Sequence, residues 1–156
     1  MSKNSLIDIH RLAPGDLDTM NAMLALFGDA FEEPDTYTAA RPDAEYTRKL
    51  LASGSFIALA ALFEGRVVGA LTAYELQKFE QARSEIYIYD LAVAEAYRRR
   101  GIATALIERV RQIAAERGAW VVVIQADQAA ANEFVLMIMN AAREAQSGCT
   151  QIAAEE

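Results

Sequence analysis

Apolar positions along this chain follow two rhythms, and each change of rhythm predicts a change of element. "SLIDIHRL" sets Ile7, Ile9 and Arg11 against Leu6, Asp8 and His10, a period of two that predicts a first strand. "PGDLDTMNAMLALF" shifts to helical spacing through Leu17, Met20, Met23, Leu24 and Phe27, with Pro14 at the expected helix start and Asp16 favouring the first turn. Residues 28–42 mix Gly, Pro and acids and predict an irregular loop; a short helix is expected from Asp43 to Ala52. "SFIALAALF" and "VVGALTAYEL" predict two strands of a hairpin turned by "EGR". After a polar connection, "EIYIYDLAV" carries the strongest strand pattern in the chain. Residues 101–117 predict a helix with Ile102, Leu106, Val110 and Ile113 on one face and Gly118 as its C-terminal cap. "WVVVIQAD" predicts a buried strand, "QAAANEFVLMIMNAAREAQ" a last helix, and "SGCTQIAAEE" a frayed tail.

The order β-α-α-β-β-β-α-β-α combines hairpins with strand–helix–strand crossovers. It predicts an α/β (α+β) fold, a mixed sheet with helices on both faces. The 156 residues suit a single domain, and no internal repeat or low-complexity tract suggests a second.

Composition excludes several classes. A chain that is 53% hydrophobic and 24% charged fits a soluble globular protein. No stretch approaches the roughly 20 unbroken apolar residues of a membrane helix. "MSKNSLIDIH" lacks the apolar core of a signal peptide, and Cys149 is the single cysteine; both point to a cytoplasmic protein. One histidine and one cysteine leave no His/Cys metal cluster, so no metal is expected. A net charge of −7 argues against general nucleic-acid binding and for a cationic partner. The run "FVLMIM", residues 134–139, is hard to bury on both faces of one small domain and predicts a homodimer.

Against this acidic background stands "YRRRGIATALIERV". Arg98, Arg99 and Arg100 precede Gly101 at the start of a helix, where partial positive charge already accumulates. An anion there would offset the like-charge cost. The first backbone N–H groups of the helix have no helical partner, and Gly101 puts no side chain in a ligand's way. Ala103, Thr104 and Ala105 keep the approach open. A pyrophosphate would accept these backbone bonds and charge-assisted bonds from the arginines. The same residues also fit an exposed basic turn held by solvent and Glu95. Neither the Gly-Lys-Ser/Thr nucleotide loop nor the dinucleotide G-x-G-x-x-G is present.

"RRRGIA", Arg98 to Ala103, resembles the Arg/Gln-x-x-Gly-x-Gly/Ala signature of the GNAT superfamily of acyl-coenzyme A N-acyltransferases. The longer text, from about residue 6 to Asp127, is similar to the type I aminoglycoside 3-N-acetyltransferases, which acetylate gentamicin-type antibiotics. The resemblance implies a GNAT-like, mostly antiparallel sheet with a splayed parallel strand pair. It implies acetyl-CoA as co-substrate, with Leu91, Ala92 and Val93 pairing through backbone with the pantetheine arm. Arg98, Arg99, Arg100, Gly101, Ile102, Ala103 and Thr104 would hold the pyrophosphate. Beyond Asp127 the chain departs from the family pattern. Leu136 and Met137 stand where a Leu-Tyr pair is expected, and in many members that tyrosine protonates the departing thiolate.

Acetyl transfer to an amine requires a base, a polarised carbonyl and a departing thiolate. Asp90, at the end of the strongest strand, is the leading base candidate; strict alternation places it on one face with Ile86 and Ile88. The same carboxylate also reads as a group that only hydrogen-bonds neighbouring backbone. Glu85 is the second candidate, and a backbone N–H near Tyr89 to Leu91 suits the carbonyl oxygen. Cys149 and His10 show no nucleophile pattern, so direct transfer is expected. Glu32, Glu33, Asp35, Asp90 and Asp127 are candidates for a polycationic aminoglycoside, although the loop acids read equally as a solvated surface run. Tyr74, Tyr87 and Tyr89 read as core or as pocket wall. Competing functions are acetylation of polyamines or protein amines, and acyl-CoA binding without catalysis.

Overall fold

The strand Phe56–Phe63 (β2) has no polar position, because both its faces are covered. Ile57, Leu59 and Ala61 join one apolar layer, and Phe56, Ala58 and Ala60 join the other. The computed structural model describes residues 6–126 and 150–154. Ile7–Arg11 (β1), β2, Arg66–Gln77 (β3) and Ser84–Val93 (β4) run antiparallel in chain order. Val121–Ala126 (β5) then joins β4 in parallel, and Thr150–Ala154 (β6) joins β5 in parallel. The sheet therefore has the order β1-β2-β3-β4-β5-β6. Leu17–Ala30 (α1), Pro34–Thr38 (α2) and Ala44–Ala52 (α3) lie between β1 and β2, and Ile102–Arg117 (α4) lies between β4 and β5.

Helices cover both faces. Met20, Met23 and Phe27 of α1 and Leu51 of α3 bury against one side of the sheet. Ile102, Leu106, Val110 and Ile113 of α4, with Ile107, bury against the other, as their spacing predicts. The hairpin turn consists of Glu64 and Gly65, both with positive φ (49° and 77°), the conformation that a two-residue turn between twisted strands demands. Gly118, φ 69°, caps α4.

Several elements differ from expectation. Pro14 stays outside α1. Asp16 occupies the N-cap position without capping: its carboxylate accepts from the Ala13 N–H (2.7 Å) and lies 3.0 Å from His10 Nε2. The loop expected over 28–42 instead contains the end of α1 and all of α2, because Pro34 presets the first turn of a helix. Part of the expected frayed tail forms β6, which pairs with the otherwise open edge of β5. The last expected helix, Leu136, Met137, the "FVLMIM" run, Cys149 and Asp127 lie outside the described residues. No described helix is long and apolar enough to cross a membrane.

Gly69 sets how closely α4 approaches β3. A Cβ there would lie 2.8 Å from Ile102 Cγ2, 3.2 Å from Ala61 Cβ and 3.4 Å from Leu106 Cδ1. The Ile102 methyl branches directly from its own Cβ and cannot swing away freely. Gly69→Ala is expected to destabilise the fold by about 1–3 kcal/mol through overpacking, read as a lower urea midpoint at an unchanged m-value. An unaltered midpoint would show that α4 has room to spare.

Candidate active site

Two irregularities of β4 build the site. The first is where its pairing with β5 stops. The parallel ladder runs from Glu85↔Val121 to Ile88↔Ile124 and ends, although β4 continues to Val93. On its other side β4 stays paired with β3 as far as Gly69↔Val93. Among the described residues, the edge of β4 toward β5 therefore has no strand partner from Tyr89 to Val93, and apart from the Val93 carbonyl, which accepts from Arg98 Nε, its outward N–H and C=O groups can meet an extended polar ligand. Leu91, Ala92 and Val93 lie on this strip.

The second irregularity is a bulge. Thr72 pairs with Asp90 and Ala73 with Ile88, so Tyr89 is the extra residue. Across it the faces of β4 exchange. Ile86 and Ile88 pack in the α4 layer, whereas Ala92 packs in the α1 layer and Asp90 meets Tyr37 of α2. This corrects the expectation from strict alternation: Asp90 does not share the face of Ile86 and Ile88. The extra residue is what turns it.

Asp90 is partly buried. The Tyr37 hydroxyl donates to its Oδ1 at 3.3 Å and Oδ2 at 3.2 Å. Burial pushes the Asp90 carboxyl above its ordinary value; the Tyr37 bond opposes this and the charge of Glu33 adds to it. Burial and the neighbouring Asp90 charge push the Tyr37 hydroxyl up to about 12, so it remains a donor across the working pH range. Buried Thr72 faces Asp90 across the ladder. Tyr74 stands edge-on to Tyr89 (centroids 5.9 Å), and Tyr87 lies 6.4 Å from Tyr89. Tyr89 remains 65% exposed; Tyr74 is within electrostatic range of Asp90 and also of Tyr46, which is 60% exposed, so the aromatic cluster near the carboxylate keeps open faces.

The other acidic candidates separate. Glu33, the residue before α2, is near enough to act on Asp90 by charge. Glu32, in a left-handed conformation (φ 55°), and Asp35 are exposed, with no contact drawing them to Asp90. Glu85 lies five residues nearer the start of β4, about 16 Å away along the strand. It is engaged by Lys78 Nζ (3.7 Å) and Arg83 Nη2 (4.0 Å).

The arginine turn leaves the far end of β4. The Ala94 N–H donates to the Val68 carbonyl (2.8 Å), and a short 3-10 turn, Glu95–Tyr97, follows. Arg98 Nε donates back to the Val93 carbonyl (3.2 Å), Arg99 has φ 62°, and the Arg100 guanidinium lies over Tyr97 (5.1 Å). Among the described residues, none of these three arginines forms an ion pair. α4 opens on Gly101, φ 78°, with no side-chain cap and no acid in its first turn. Its first bond runs from the Ala105 N–H to the Gly101 carbonyl (3.0 Å), which leaves the N–H groups of Ile102, Ala103 and Thr104 without helical partners. A Cβ on Gly101 would meet nothing within 4 Å, so no described side chain crowds the glycine that opens the helix. Three free N–H groups, nearby guanidinium groups and an uncrowded glycine fit a diphosphate.

Sequence reasoning missed Tyr37, which lay inside an expected loop, and the bulge at Tyr89. Pro34 at the start of "PDTYT" was the available sign of a helix; no local pattern marks the bulge.

An unpaired strand edge that leads into an uncapped, glycine-opened helix end, with a half-buried carboxylate on the same strand, defines an N-acyltransferase fold of the coenzyme A-dependent kind. The chain belongs to the acetyltransferase (GNAT) family, which matches residues 20–136. Among solved structures it is similar to an aminoglycoside acetyltransferase from an uncultured soil metagenomic sample, with 58% identity over 82% of each chain and a TM-score of 0.77. A second aminoglycoside acetyltransferase from such a sample, in complex with sisomicin, is 30% identical over 99% of each chain, with a TM-score of 0.80. A ribosomal-protein-alanine N-acetyltransferase from Brucella melitensis biovar Abortus 2308 is 27% identical over 83% of this chain and 86% of its own, with a TM-score of 0.64. No curated protein sequence matches significantly.

Proposed function

We propose that this protein transfers the acetyl group of acetyl-CoA to the 3-amino group of gentamicin-type aminoglycosides and thereby confers resistance. The observation that carries the reading is Asp90: a half-buried carboxylate, with Glu33 close by, where the open edge of β4 begins. A cationic amine beside two acids and an aromatic wall is a matched substrate, and a relative 58% identical is described as an aminoglycoside acetyltransferase.

The chain's residues divide the work. Leu91, Ala92 and Val93 hold the pantetheine arm through backbone groups. The N–H groups of Ile102, Ala103 and Thr104, with Arg98, Arg99 and Arg100 at their margin, hold the diphosphate, and Gly101 keeps the approach clear. Bound acetyl-CoA supplies a thioester whose carbonyl carbon accepts the amine nitrogen while its sulfur leaves as thiolate. Asp90 takes the proton that the ammonium must lose, directly or through water. The backbone N–H groups of Tyr89 to Leu91 are the donors nearest to where the carbonyl oxygen gains charge. Glu33 and the open faces of Tyr89 and Tyr46 orient the sugar rings, and the charge of Glu33 favours the substrate's ammonium groups.

The test is release of coenzyme A thiol from acetyl-CoA with gentamicin, spermidine or a peptide amine as acceptor. Gentamicin-dependent release, with the product acetylated at N3 by NMR, is the expected result. Turnover on spermidine or the peptide but not on gentamicin would replace the substrate. Calorimetric acetyl-CoA binding without turnover on any amine would mark a non-catalytic binder.

A further inference from the structure

The strongest feature that the proposed mechanism leaves unused is the contact between Tyr37 and Asp90. The two distances from the hydroxyl to the carboxylate, 3.3 and 3.2 Å, are nearly equal, so the hydroxyl bridges both oxygens and holds the carboxylate's orientation. The tyrosine comes from α2, 53 residues away in sequence, and its ring is fixed from behind. Phe27 and Phe31 of α1 and its extension each place a ring centroid 5.8 Å from it. Phe27 is itself 1% exposed and cannot yield.

Gly28 completes the seat. A glycine weakens a helix, yet this one occupies the last turns of α1 and is buried. A Cβ there would lie 3.2 Å from Pro34 Cα and 3.6 Å from Tyr37 Cβ. The Gly28 carbonyl also accepts the Glu33 N–H (3.0 Å). The segment that carries Glu33 is thus seated on α1 by the same contacts that aim Tyr37.

We propose that Tyr37 is a positioning residue: its hydroxyl, seated by Phe27, Gly28 and Phe31, orients the Asp90 carboxylate and links the acidic α2 segment to the base. This rests on the reading of Asp90 as the base. The titratable groups facing Asp90 are Glu33 and Tyr37 from the α2 segment, Tyr74 from β3 and Tyr89 from β4; α1 brings apolar Met20, Met23 and Phe27 to this layer. Removal of the hydroxyl takes away the bond that favours the charged form, so Asp90 should hold its proton to higher pH.

Tyr37→Phe keeps the ring and removes the donor. The expected result is about a tenfold loss of kcat/KM for gentamicin at the acid end of the profile, shrinking toward the alkaline end, with KM for acetyl-CoA unchanged. In parallel, the Asp90 carboxyl carbon, followed by 13C NMR in protein labelled at aspartate, should titrate at higher pH in the variant. Adding Tyr37→Phe to Asp90→Asn should cost nothing further. Equal loss at every pH with an unmoved carboxyl titration would overturn the proposal, leaving Tyr37 as packing alone. A moved titration in a protein that acetylates no amine would uphold Tyr37's control of Asp90 and overturn the acetyltransferase reading instead.

Discussion

Asp90→Asn is expected to lower kcat on the aminoglycoside by roughly 10²- to 10⁴-fold, the range for removal of a general base. KM for acetyl-CoA should barely change, because the Asp90 side chain points to the α1 face and the proposed diphosphate site lies at the start of α4, on the opposite face. The pH dependence has a definite sign. As the proposed base Asp90 would work when ionised, and its pKa is raised above 3.8 by burial. Activity should therefore fall as pH drops through that raised value, and the asparagine variant should lose this limb. Stability runs the other way. A carboxyl with a raised folded-state pKa favours the fold while protonated, and that contribution is lost as pH rises from the unfolded value through the folded one. At neutral pH Asp90→Asn should therefore melt no lower than the parent protein. A variant that keeps near-normal turnover removes Asp90 from the chemistry; one that melts much lower makes it a structural residue.

Gly101→Ala is expected to weaken acetyl-CoA binding at least tenfold while costing only about 1–2 kcal/mol of stability, the steric penalty of a left-handed residue with a side chain. The two effects separate because the added methyl meets no protein atom within 4 Å, whereas a diphosphate held by the Ile102, Ala103 and Thr104 amides must approach the Gly101 backbone closely. Gly118→Ala is the matched control. Gly118 has φ 69°, is equally open, and caps the opposite end of the same helix. It should show a similar stability cost with calorimetric affinity for acetyl-CoA intact. Equal losses of affinity in both variants would trace the effect to strain in α4. Unchanged affinity at Gly101 would remove the cradle.

Local pattern was enough for β1 to β5 and for α4, since two-residue and helical periods in "EIYIYDLAV" and "IATALIERV" respond to burial within a few residues; β6, in a polar tail with no such period, was not legible. The Arg98–Thr104 turn was legible for a similar reason. A glycine between a strand and a helix, with guanidinium groups beside unpaired amides, is a contiguous arrangement that chemistry alone singles out. The acids were less legible. Glu32, Glu33 and Asp35 are nearly adjacent in sequence, yet the seat formed by Gly28 and Pro34 brings only Glu33 into electrostatic range of Asp90. Glu85, on the same strand as Asp90 but five residues nearer its start, is drawn instead to Lys78 and Arg83 of the β3–β4 connection.

What the chain determined by itself is strands β1 to β5, helices α1, α3 and α4, and the uncapped, glycine-opened start of α4, because apolar period, turn residues and unpaired amides are properties of neighbouring residues. What the tertiary structure alone decided is the face of Asp90 and the identity of its partner. One extra residue at Tyr89 turns the carboxylate across the sheet, and a tyrosine 53 positions away meets it there. A bulge exists only when a second strand sets the count against which a residue is extra, so no reading of β4 alone contains it.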